Sequence, residues 1–401
     1  MSVRKRKWTT PKGEQREAWV VNYTDGQGKR RLRTFTKKKD ADGFAANAAV
    51  EVRDGIHVPD GATVTVAEAG KLWLKSGEAA GLERTTLDQR RQHLNLHIAP
   101  LVGDVKLNKT NVPWVRAFQD RLREAGRSPA LVKRVTVSLG SIMADAQGRG
   151  LTVRNPVHEM SHARSGTNVS ERRAKAKLQV GVDIPTTEET KALLNAAKGR
   201  WRVLLMTMAF TGIRASEARG LRWQDVELDK AKLHVRQRAD RYRDIGNPKS
   251  AAGHRTIPLL PIVVNTLKEW KLVCPKGEGG LVFPNTEGGV EFHQNMLQRG
   301  LWPAWTAAGI TVPGKKLDKA GNPIPVPKYP GFHALRHWFA SWCINRKRDG
   351  GLELSAKAVQ TRMGHSSIQV TFDTYGHLFP TTDEDEELAA AERALFAVNA
   401  T

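Results

Sequence analysis

The residues best suited to chemistry lie near the carboxyl end of the sequence, in a stretch from His333 to His377. Its first part reads HALRHWFASW, and at about 100° per residue a helix there gathers its large apolar side chains on one face. These side chains are Leu335, Trp338, Phe339 and Trp342. His333 and Arg336 point roughly the opposite way and lie close together. A helix that only had to pack against a core would need neither of them.

A second helical segment follows the pair Gly364-His365. At helical spacing it carries Ile368, Thr371, Phe372 and Tyr375. The two short helices therefore deliver two histidines, an arginine and a tyrosine, a set that suits binding a phosphate and attacking it. Spacing alone leaves another interpretation open, in which Tyr375 is a core residue on the same stripe as Phe372.

Two further cations precede this stretch. The apolar run from Trp201 to Phe210 predicts a central buried helix that ends at Thr211-Gly212, so Arg214 falls in the first turn of the next helix. A guanidinium beside free helix N–H groups is a ready anion site, although a surface arginine paired with Glu217 fits equally well. Lys249 lies in a turn between two strand-like runs, where a lysine is ordinarily solvent-exposed.

Composition indicates the class of partner. The 401 residues contain 64 Lys and Arg against 41 Asp and Glu, a net charge of +23, so a polyanion such as nucleic acid is expected. No run of about 18 apolar residues predicts a membrane span, and no apolar segment follows the basic N-terminus as in a secretory signal. The two cysteines, Cys274 and Cys343, lie far apart, which favours free thiols in a reducing cytoplasm and makes zinc unlikely.

The pattern along the chain predicts an α+β multidomain protein. In residues 1–58, runs at Glu17 to Tyr23 and Lys29 to Phe35 flank Asp25-Gly26 as a hairpin, and a helix follows from about Lys39 to Asp54. We expect an N-terminal three-stranded β-sheet plus a helix. Its dense cations favour a β-ribbon that reads DNA, with a solvated basic face as the alternative.

Residues 64–163 predict a helical domain, 164–182 a polar linker, and 183–401 a mainly α domain with a small β-sheet. The helical domain should contain four helices, with breaks that include Pro100 to Gly103. The predicted helices are Val66 to Ser76, Arg84 to Leu96, Asn111 to Ala125 and Pro129 to Gln147.

The last domain should begin with a helix capped by Thr186 or Thr187. Strands are expected at Lys232 to Tyr242 and His254 to Leu260, and a surface excursion at residues 306–331. An acidic helix from Asp383 to Ala397 should dock on protein, because its charge opposes that of the rest of the chain.

Four segments, in order, resemble the tyrosine recombinases, specifically integrases of the lambda phage type. They are TGIRASEARGLRWQDV from Thr211, PKSAAGHRTIPL from Pro248, HALRH from His333 and MGHSSIQVTFDTYGHL from Met363. TLDQRRQHLNLHIAPLVGDVKL, from Thr86, resembles the family's helical (SAM-like) core-binding domain, and the N-terminal ribbon resembles its arm-type DNA-binding domain.

The resemblance implies a site-specific recombinase that cuts and rejoins DNA without metal, ATP or another cofactor. Tyr375 would attack the scissile phosphate and form a 3′-phosphotyrosine, while Arg214 and Arg336 clamp the phosphate oxygens. Lys249 would be the general acid, His333 a base or positioner, and His365 a donor to a phosphate oxygen.

It also implies partners and a setting. The chain would act on core and arm attachment sites of double-stranded DNA as a homotetramer in the bacterial cytoplasm, with a host DNA-bending protein and an excisionase. It would integrate and excise a phage or other mobile element. The predicted DNA-binding residues are Arg30, Arg31, Arg33, Arg84, Arg90, Arg91, Lys133 and Arg134.

Two other functions remain open at this point. Residues 356–375 also fit a helix-turn-helix, which would suit a regulator without catalysis. A relaxase similar to type IB topoisomerases would share the nucleophile and the arginines, but would reseal the same strand.

Overall fold

The computed structural model describes residues 1–11, 14–25, 28–53, 63–163 and 177–380, together with residues 55, 59, 389, 392, 393, 395 and 396. The described chain is mostly helical with small antiparallel sheets, which confirms the predicted α+β class. It divides into two compact units, Met1–Arg173 and Ala174–Thr401. Their boundary falls within the predicted linker at 164–182, and the finer division at 58 and 64 stays a prediction. No helix among the described residues is long and apolar enough to cross a membrane.

The first unit opens with a three-stranded antiparallel sheet in the order β1-β2-β3. Its strands are β1 (Ser2–Thr9), β2 (Gln15–Thr24) and β3 (Arg30–Phe35), and helix α1 (Lys38–Arg53) follows. Alternate residues of β2 turn to α1, so Val21 and Tyr23 form a small core with Ala41. The predicted hairpin and helix are confirmed, although Gly26 and Asp54 lie outside the described residues.

The rest of the first unit is helical, as predicted, around a core that includes Trp73, Phe118 and Leu139. Its helices are α2 (Val66–Ala79), α3 (Arg84–His93), α4 (Ala99–Val102), α5 (Val112–Glu124), α6 (Pro129–Gly148) and α7 (Pro156–Ala163).

The predicted break at Pro100 to Gly103 is wrong for Pro100 to Val102, which are helical. A π-helical turn, Leu94–Ile98, joins α3 to α4, and the N–H of Ala99 bonds to the carbonyl of Leu94. Pro100 then occupies the first turn of α4, where its missing N–H and fixed φ are tolerated.

The second unit packs around a large apolar core and a smaller apolar cluster that includes Phe339, Met363 and Tyr375. Its helices are α8 (Thr187–Ala196), α9 (Gly199–Thr211), α10 (Ala215–Gly220), α11 (Pro261–Val273), α12 (His293–Asn295), α13 (Trp302–Ala307), α14 (His333–Ile344), α15 (Ala356–Met363) and α16 (Ile368–Tyr375). Helix α9 is buried along most of its length, as its apolar run predicts. The predicted acidic helix from Asp383 lies largely outside the described residues.

The strands of this unit are short. They are β4 (Val226–Glu227), β5 (Lys232–Val235), β6 (Arg238–Ala239), β7 (Ile245–Gly246), β8 (Arg255–Pro258), β9 (Thr311–Leu317) and β10 (Pro323–Pro327). The single strand predicted from Lys232 to Tyr242 is wrong, because β5 pairs with β8 whereas β6 pairs with β7. The predicted surface excursion at 306–331 contains the hairpin of β9 and β10.

Removing the side-chain cap of α8 should destabilise the second unit. The Thr186 hydroxyl accepts the backbone N–H of Glu189, and the Glu189 carboxylate accepts the backbone N–H of Thr186. Thr186→Ala should lower the free energy of unfolding by about 1 kcal/mol in urea denaturation, because one N–H loses its partner. Thr187→Ala, one position inside the helix, is the matched control and should change stability much less. Equal losses in the two variants would contradict a capping role for Thr186.

Candidate active site

Arg214 is positioned by a glycine at the end of a buried helix. Gly212 follows α9 with φ of 61°, and a Cβ at this position would overlap the ring of Phe339. The chain turns there and starts α10, with Arg214 as its N-terminal cap residue. Arg214 Nη1 donates to Glu217 Oε1 at 2.7 Å, so the predicted pairing with Glu217 is present. Its other terminal nitrogen donates to the carbonyl of Gly364 at 3.3 Å.

Glu217 is a buried carboxylate that joins two arginines. Arg255 Nη2 donates to Glu217 Oε2 at 2.8 Å, and the side chains of both residues are almost fully buried. Burial alone would raise the pKa of Glu217, but the hydrogen bonds and charge of Arg255, together with the charge of Arg214, lower it to about 2. Glu217 therefore carries a negative charge that compensates these cations inside the protein.

Arg336 is buried, although its predicted position is opposite the apolar stripe of α14. Its two terminal nitrogens donate to the backbone carbonyls of Gly212 and Met363. Burial and the nearby charge of Arg214 lower the pKa of Arg336 to about 9, so the guanidinium remains protonated at neutral pH. Helical periodicity predicts the direction of this side chain, but it does not show that other helices enclose it.

Three arginines bind consecutive carbonyls where α15 ends. Arg255 Nε donates to the carbonyl of Arg362 at 2.9 Å, Arg336 donates to Met363 and Arg214 donates to Gly364. The last carbonyls of a helix have no partner within the helix, and its C-terminal end favours positive charge. We call these three residues, Arg214, Arg255 and Arg336, the arginine clasp. Sequence reasoning missed Arg255, whose one signal was its place in the segment that begins at Pro248.

Tyr375 lies at the end of the helix that follows the clasp. It is 2% exposed, and its ring stacks on His365 with a centroid separation of 6.1 Å. His365 Nδ1 lies 2.9 Å from the hydroxyl of Thr371, which leaves Nε2 as the nitrogen that could donate to a phosphate oxygen. Burial and the charges of Arg336 and Arg214 lower the pKa of His365 to about 4.

The phenol of Tyr375 is bonded to a histidine that sequence reasoning did not single out. Its Oη lies 2.8 Å from Nδ1 of His337, one turn along α14 from His333. His333 is exposed, and its ring centroid lies 6.2 Å from that of His337. Partial burial and the charges of Arg336 and Arg214 lower the pKa of His333. The sequence offered one signal for His337, its i, i+4 spacing from His333 on one helix face.

Lys249 is not brought to the other candidate residues. It is exposed in the loop between β7 and the 3₁₀ turn Ala251–Gly253. Within the described part of the chain, no hydrogen bond or ion pair joins it to the clasp or to Tyr375. The structure thus unites the arginines, both expected histidines and the tyrosine in one region, with the lysine on a separate loop.

The sequence from 185 to 381 matches the phage integrase family. This segment contains every residue of the clasp, the three histidines and Tyr375. The chain is a tyrosine recombinase of this family.

Similar proteins agree with this assignment. The recombinase is 26% identical over 362 residues to a tyrosine recombinase XerC-like protein of Caldanaerobacter subterraneus, with 86% of each chain covered. It is 25% identical over 210 residues to the prophage integrase IntR of Escherichia coli, with 50% of this chain and 48% of that one covered.

Solved structures share the fold. A Tn1549 transposon integrase in complex with a circular intermediate DNA aligns with a TM-score of 0.60 at 19% identity, covering 83% of the recombinase and 100% of that chain. A lambda integrase from a tetramer bound to a Holliday junction aligns with a TM-score of 0.52 at 18% identity, covering 90% and 95%. Neither the helix-turn-helix regulator nor the relaxase is favoured by these comparisons.

The side chains predicted to bind DNA fall into two groups in the recombinase. Arg31 pairs with buried Asp25 at 2.8 Å, Arg33 lies over the ring of Phe44, and Arg90 lies over the ring of Trp73. These three therefore contribute to packing. The exposed group is Arg30, Arg84, Arg91, Lys133 and Arg134, of which Arg91 pairs with Glu78 and Asp88. DNA binding by either group stays a prediction.

Replacing the buried anion should destabilise the recombinase in a pH-dependent way. Glu217→Gln keeps the shape but leaves Arg255 buried without its counterion, which typically costs about 3–5 kcal/mol. The charge of Glu217 stabilises the fold above pH 4.5, its unfolded value, and this contribution is lost as pH falls toward 2. In urea denaturation, the free energy of unfolding of the variant should therefore be far below that of wild type at pH 7, and the difference should shrink below pH 4.5. Glu227→Gln, at a partly exposed carboxylate that pairs with Lys230 and His234, is the control. A deficit equally large at pH 3 would contradict this account.

Proposed function

We propose that this recombinase cuts and rejoins DNA at specific sites through a covalent bond between Tyr375 and a 3′-phosphate. It thereby integrates and excises a phage genome or another mobile element. One observation carries the proposal: two guanidiniums of the clasp, Arg214 and Arg336, meet at the turn that leads directly to Tyr375. Both retain further N–H groups for a phosphate, because each terminal nitrogen carries two hydrogens and donates one here.

The nucleophile is the phenol of Tyr375. Its attack on phosphorus forms a phosphotyrosine and releases the 5′-oxygen of the broken strand. The energy of the phosphodiester is kept in this ester, so a 5′-hydroxyl of a partner strand can reverse the step without ATP. Arg214 and Arg336 bind the non-bridging oxygens, on which negative charge develops in the transition state. His365 adds a neutral donor through Nε2.

The leaving oxygen needs a proton, because an alkoxide is a poor leaving group. We assign this role to Lys249, whose exposed loop position allows it to approach a bound DNA backbone. His333 faces solvent beside the clasp, where it can contact the phosphate or the adjacent sugar. No metal or cofactor takes part in the proposed reaction.

The two DNA-binding regions have separate roles in this proposal. Residues 64–163 bind the core site together with the catalytic domain, residues 183–401, and residues 1–58 bind a distant arm site. The sheet of the N-terminal domain has one face against α1, while the other presents Arg4, Arg6 and Arg30 to solvent. This open face suits the phosphates and base edges of a DNA groove.

The assembly follows the one named for the lambda integrase neighbour, a tetramer bound to a Holliday junction. We propose a homotetramer on two DNA duplexes in the bacterial cytoplasm. A host DNA-bending protein and an excisionase would set the direction of the reaction.

Tyr375→Phe should abolish the covalent adduct and retain specific binding, because the ring stays while the attacking oxygen is lost. The core-site sequence is first obtained by selecting, from random duplexes, those that this variant binds. A nicked suicide duplex with that sequence is then used to trap the adduct. Denaturing gels should show an adduct for the wild type and none for the variant.

Tyr329→Phe is the control, because its hydroxyl is bonded to Glu189 away from the clasp. An adduct that persists in Tyr375→Phe, or peptide mapping that places the ester on another side chain, would refute the proposed nucleophile.

The arm-binding role predicts a difference between alternating residues of β1. Arg4→Ala/Arg6→Ala removes two cations from the open face, whereas Lys5→Ala/Lys7→Ala removes two that pair with Glu17. Each lost phosphate contact should reduce the magnitude of the slope of log affinity against log salt by about 0.9. The arginine variant should lose about two such contacts. The arginine variant should also integrate DNA less efficiently, while its cleavage of the core site stays normal. Deletion of residues 1–58 should have the same two effects. Equal effects of the two double variants, or full integration without residues 1–58, would contradict the assignment.

A further inference from the structure

His337 is a hydrogen-bond partner of the proposed nucleophile. Its Nδ1 lies 2.8 Å from Tyr375 Oη, and the two rings are tilted by 60° with centroids 5.8 Å apart. This is hydrogen-bond geometry between a ring nitrogen and a phenol. Among the described residues, the other histidines of the region bond elsewhere or face solvent: His365 bonds to Thr371, and His333 is exposed.

The position of His337 is fixed by the site itself. It follows Arg336, whose guanidinium is anchored to two carbonyls, and it lies on the same helix. Tyr375 is held on the other side by its stack on His365. The Tyr375 side chain is therefore in contact with two imidazoles, one stacked on its ring and one bonded to its oxygen.

We propose that His337 is a catalytic residue that takes the proton of Tyr375 as Oη attacks phosphorus and returns it during rejoining. This inference rests on the proposed function of Tyr375. In cleavage, an O–P bond forms at Oη and the bond between phosphorus and the 5′-oxygen breaks. The electron pair goes to the 5′-oxygen, which takes a proton from the Lys249 ammonium. His337 ends as an imidazolium with its new proton on Nδ1. Rejoining reverses each transfer, so no net proton is gained or lost.

The charges around His337 prepare it for this role. Burial, with His333 and Arg336 on its own helix, lowers the pKa of His337 to about 4, and Asp183 acts in the opposite direction. Tyr375, on α16, and His365, just before that helix, also face His337. Burial raises the pKa of Tyr375 to about 12. The imidazole is therefore neutral and the phenol protonated before DNA binds. A bound phosphate adds negative charge beside the arginines, which makes protonation of His337 easier and transfer from Tyr375 possible.

The contact can be tested without DNA. The chain has four tyrosines, at 23, 242, 329 and 375, so ¹³Cζ-tyrosine labelling gives four resonances, and Tyr375→Phe identifies one of them. His337→Asn should shift the Tyr375 resonance and leave the other three in place. His234→Asn, at a histidine bonded to Thr256 and Glu227, is the control and should leave Tyr375 unchanged. A Tyr375 resonance that does not respond to His337→Asn would overturn the proposal.

The proton transfer needs a second experiment. Single-turnover cleavage is followed against pH with the nicked suicide duplex, and with a matched duplex that carries sulfur in place of the scissile 5′-oxygen. A thiolate leaves without a proton, so the sulfur duplex should restore cleavage to Lys249→Ala. His337→Asn and His337→Gln should remain about 10²-fold or more slower than wild type on both duplexes, and should lose the decline in rate at acidic pH.

The outcomes separate the two proposals. Rescue of the His337 variants by sulfur would show that His337 acts in protonation of the leaving oxygen, and cleavage as fast as wild type would show that it only contacts Tyr375 in the DNA-free protein. Either result overturns the proposed transfer of the Tyr375 proton to His337, while the adduct still supports Tyr375. Absence of an adduct in the wild type itself would overturn both. Unfolding midpoints close to that of wild type ensure that the loss is not one of folding.

Discussion

The last carbonyls of α15 accept hydrogen bonds from three guanidiniums, and the rest of the candidate site depends on this arrangement. These carbonyls have no partner within their own helix, and the negative end of the helix dipole lies there. The arginine clasp satisfies them and at the same time fixes the turn at Gly364, which has φ of 64°. Tyr375 and His365 take their positions from this turn. The order of causes runs from unsatisfied backbone, to bound cations, to the proposed nucleophile Tyr375 held beside them.

Buried guanidiniums need compensation, and Glu217 provides it. Its two carboxylate oxygens accept from Arg214 and Arg255, so the anion that compensates these cations lies within the protein. The histidines beside the clasp stay neutral because burial and the arginines disfavour their charged forms. The result is a positive site lined with neutral imidazoles, suited both to attract a phosphodiester and to accept a proton from a phenol.

Local features of the fold could be predicted from the sequence. The apolar run of α9, the cap at Thr186 and the N-terminal hairpin all follow from short-range patterns, and the structure agrees with each of them. The order of the motifs also led to the correct family. The roles of the individual residues and the division of the first unit at residue 58 remain predictions.

What could not be predicted depends on contacts between distant segments. The enclosure of Arg336 needs α9 and α15 to meet around α14, which no periodicity within α14 reveals. Arg255 carries no signal of its own until β8 is paired and placed against α10. The strand expected from Lys232 divides because its two halves pair with different strands. The β-propensity of a segment predicts that it forms a strand, but not which strand it pairs with. His337 was overlooked because the motif drew attention to the histidine one turn earlier.

All members of the clasp, together with Glu217, His337 and Tyr375, belong to the compact unit Ala174–Thr401. In the proposed function, the groups that cut DNA therefore lie in one unit, while both units bind it. Exchange of the amino-terminal unit for one with another sequence preference would therefore change part of the DNA contact and keep the hydrogen bond between His337 and Tyr375.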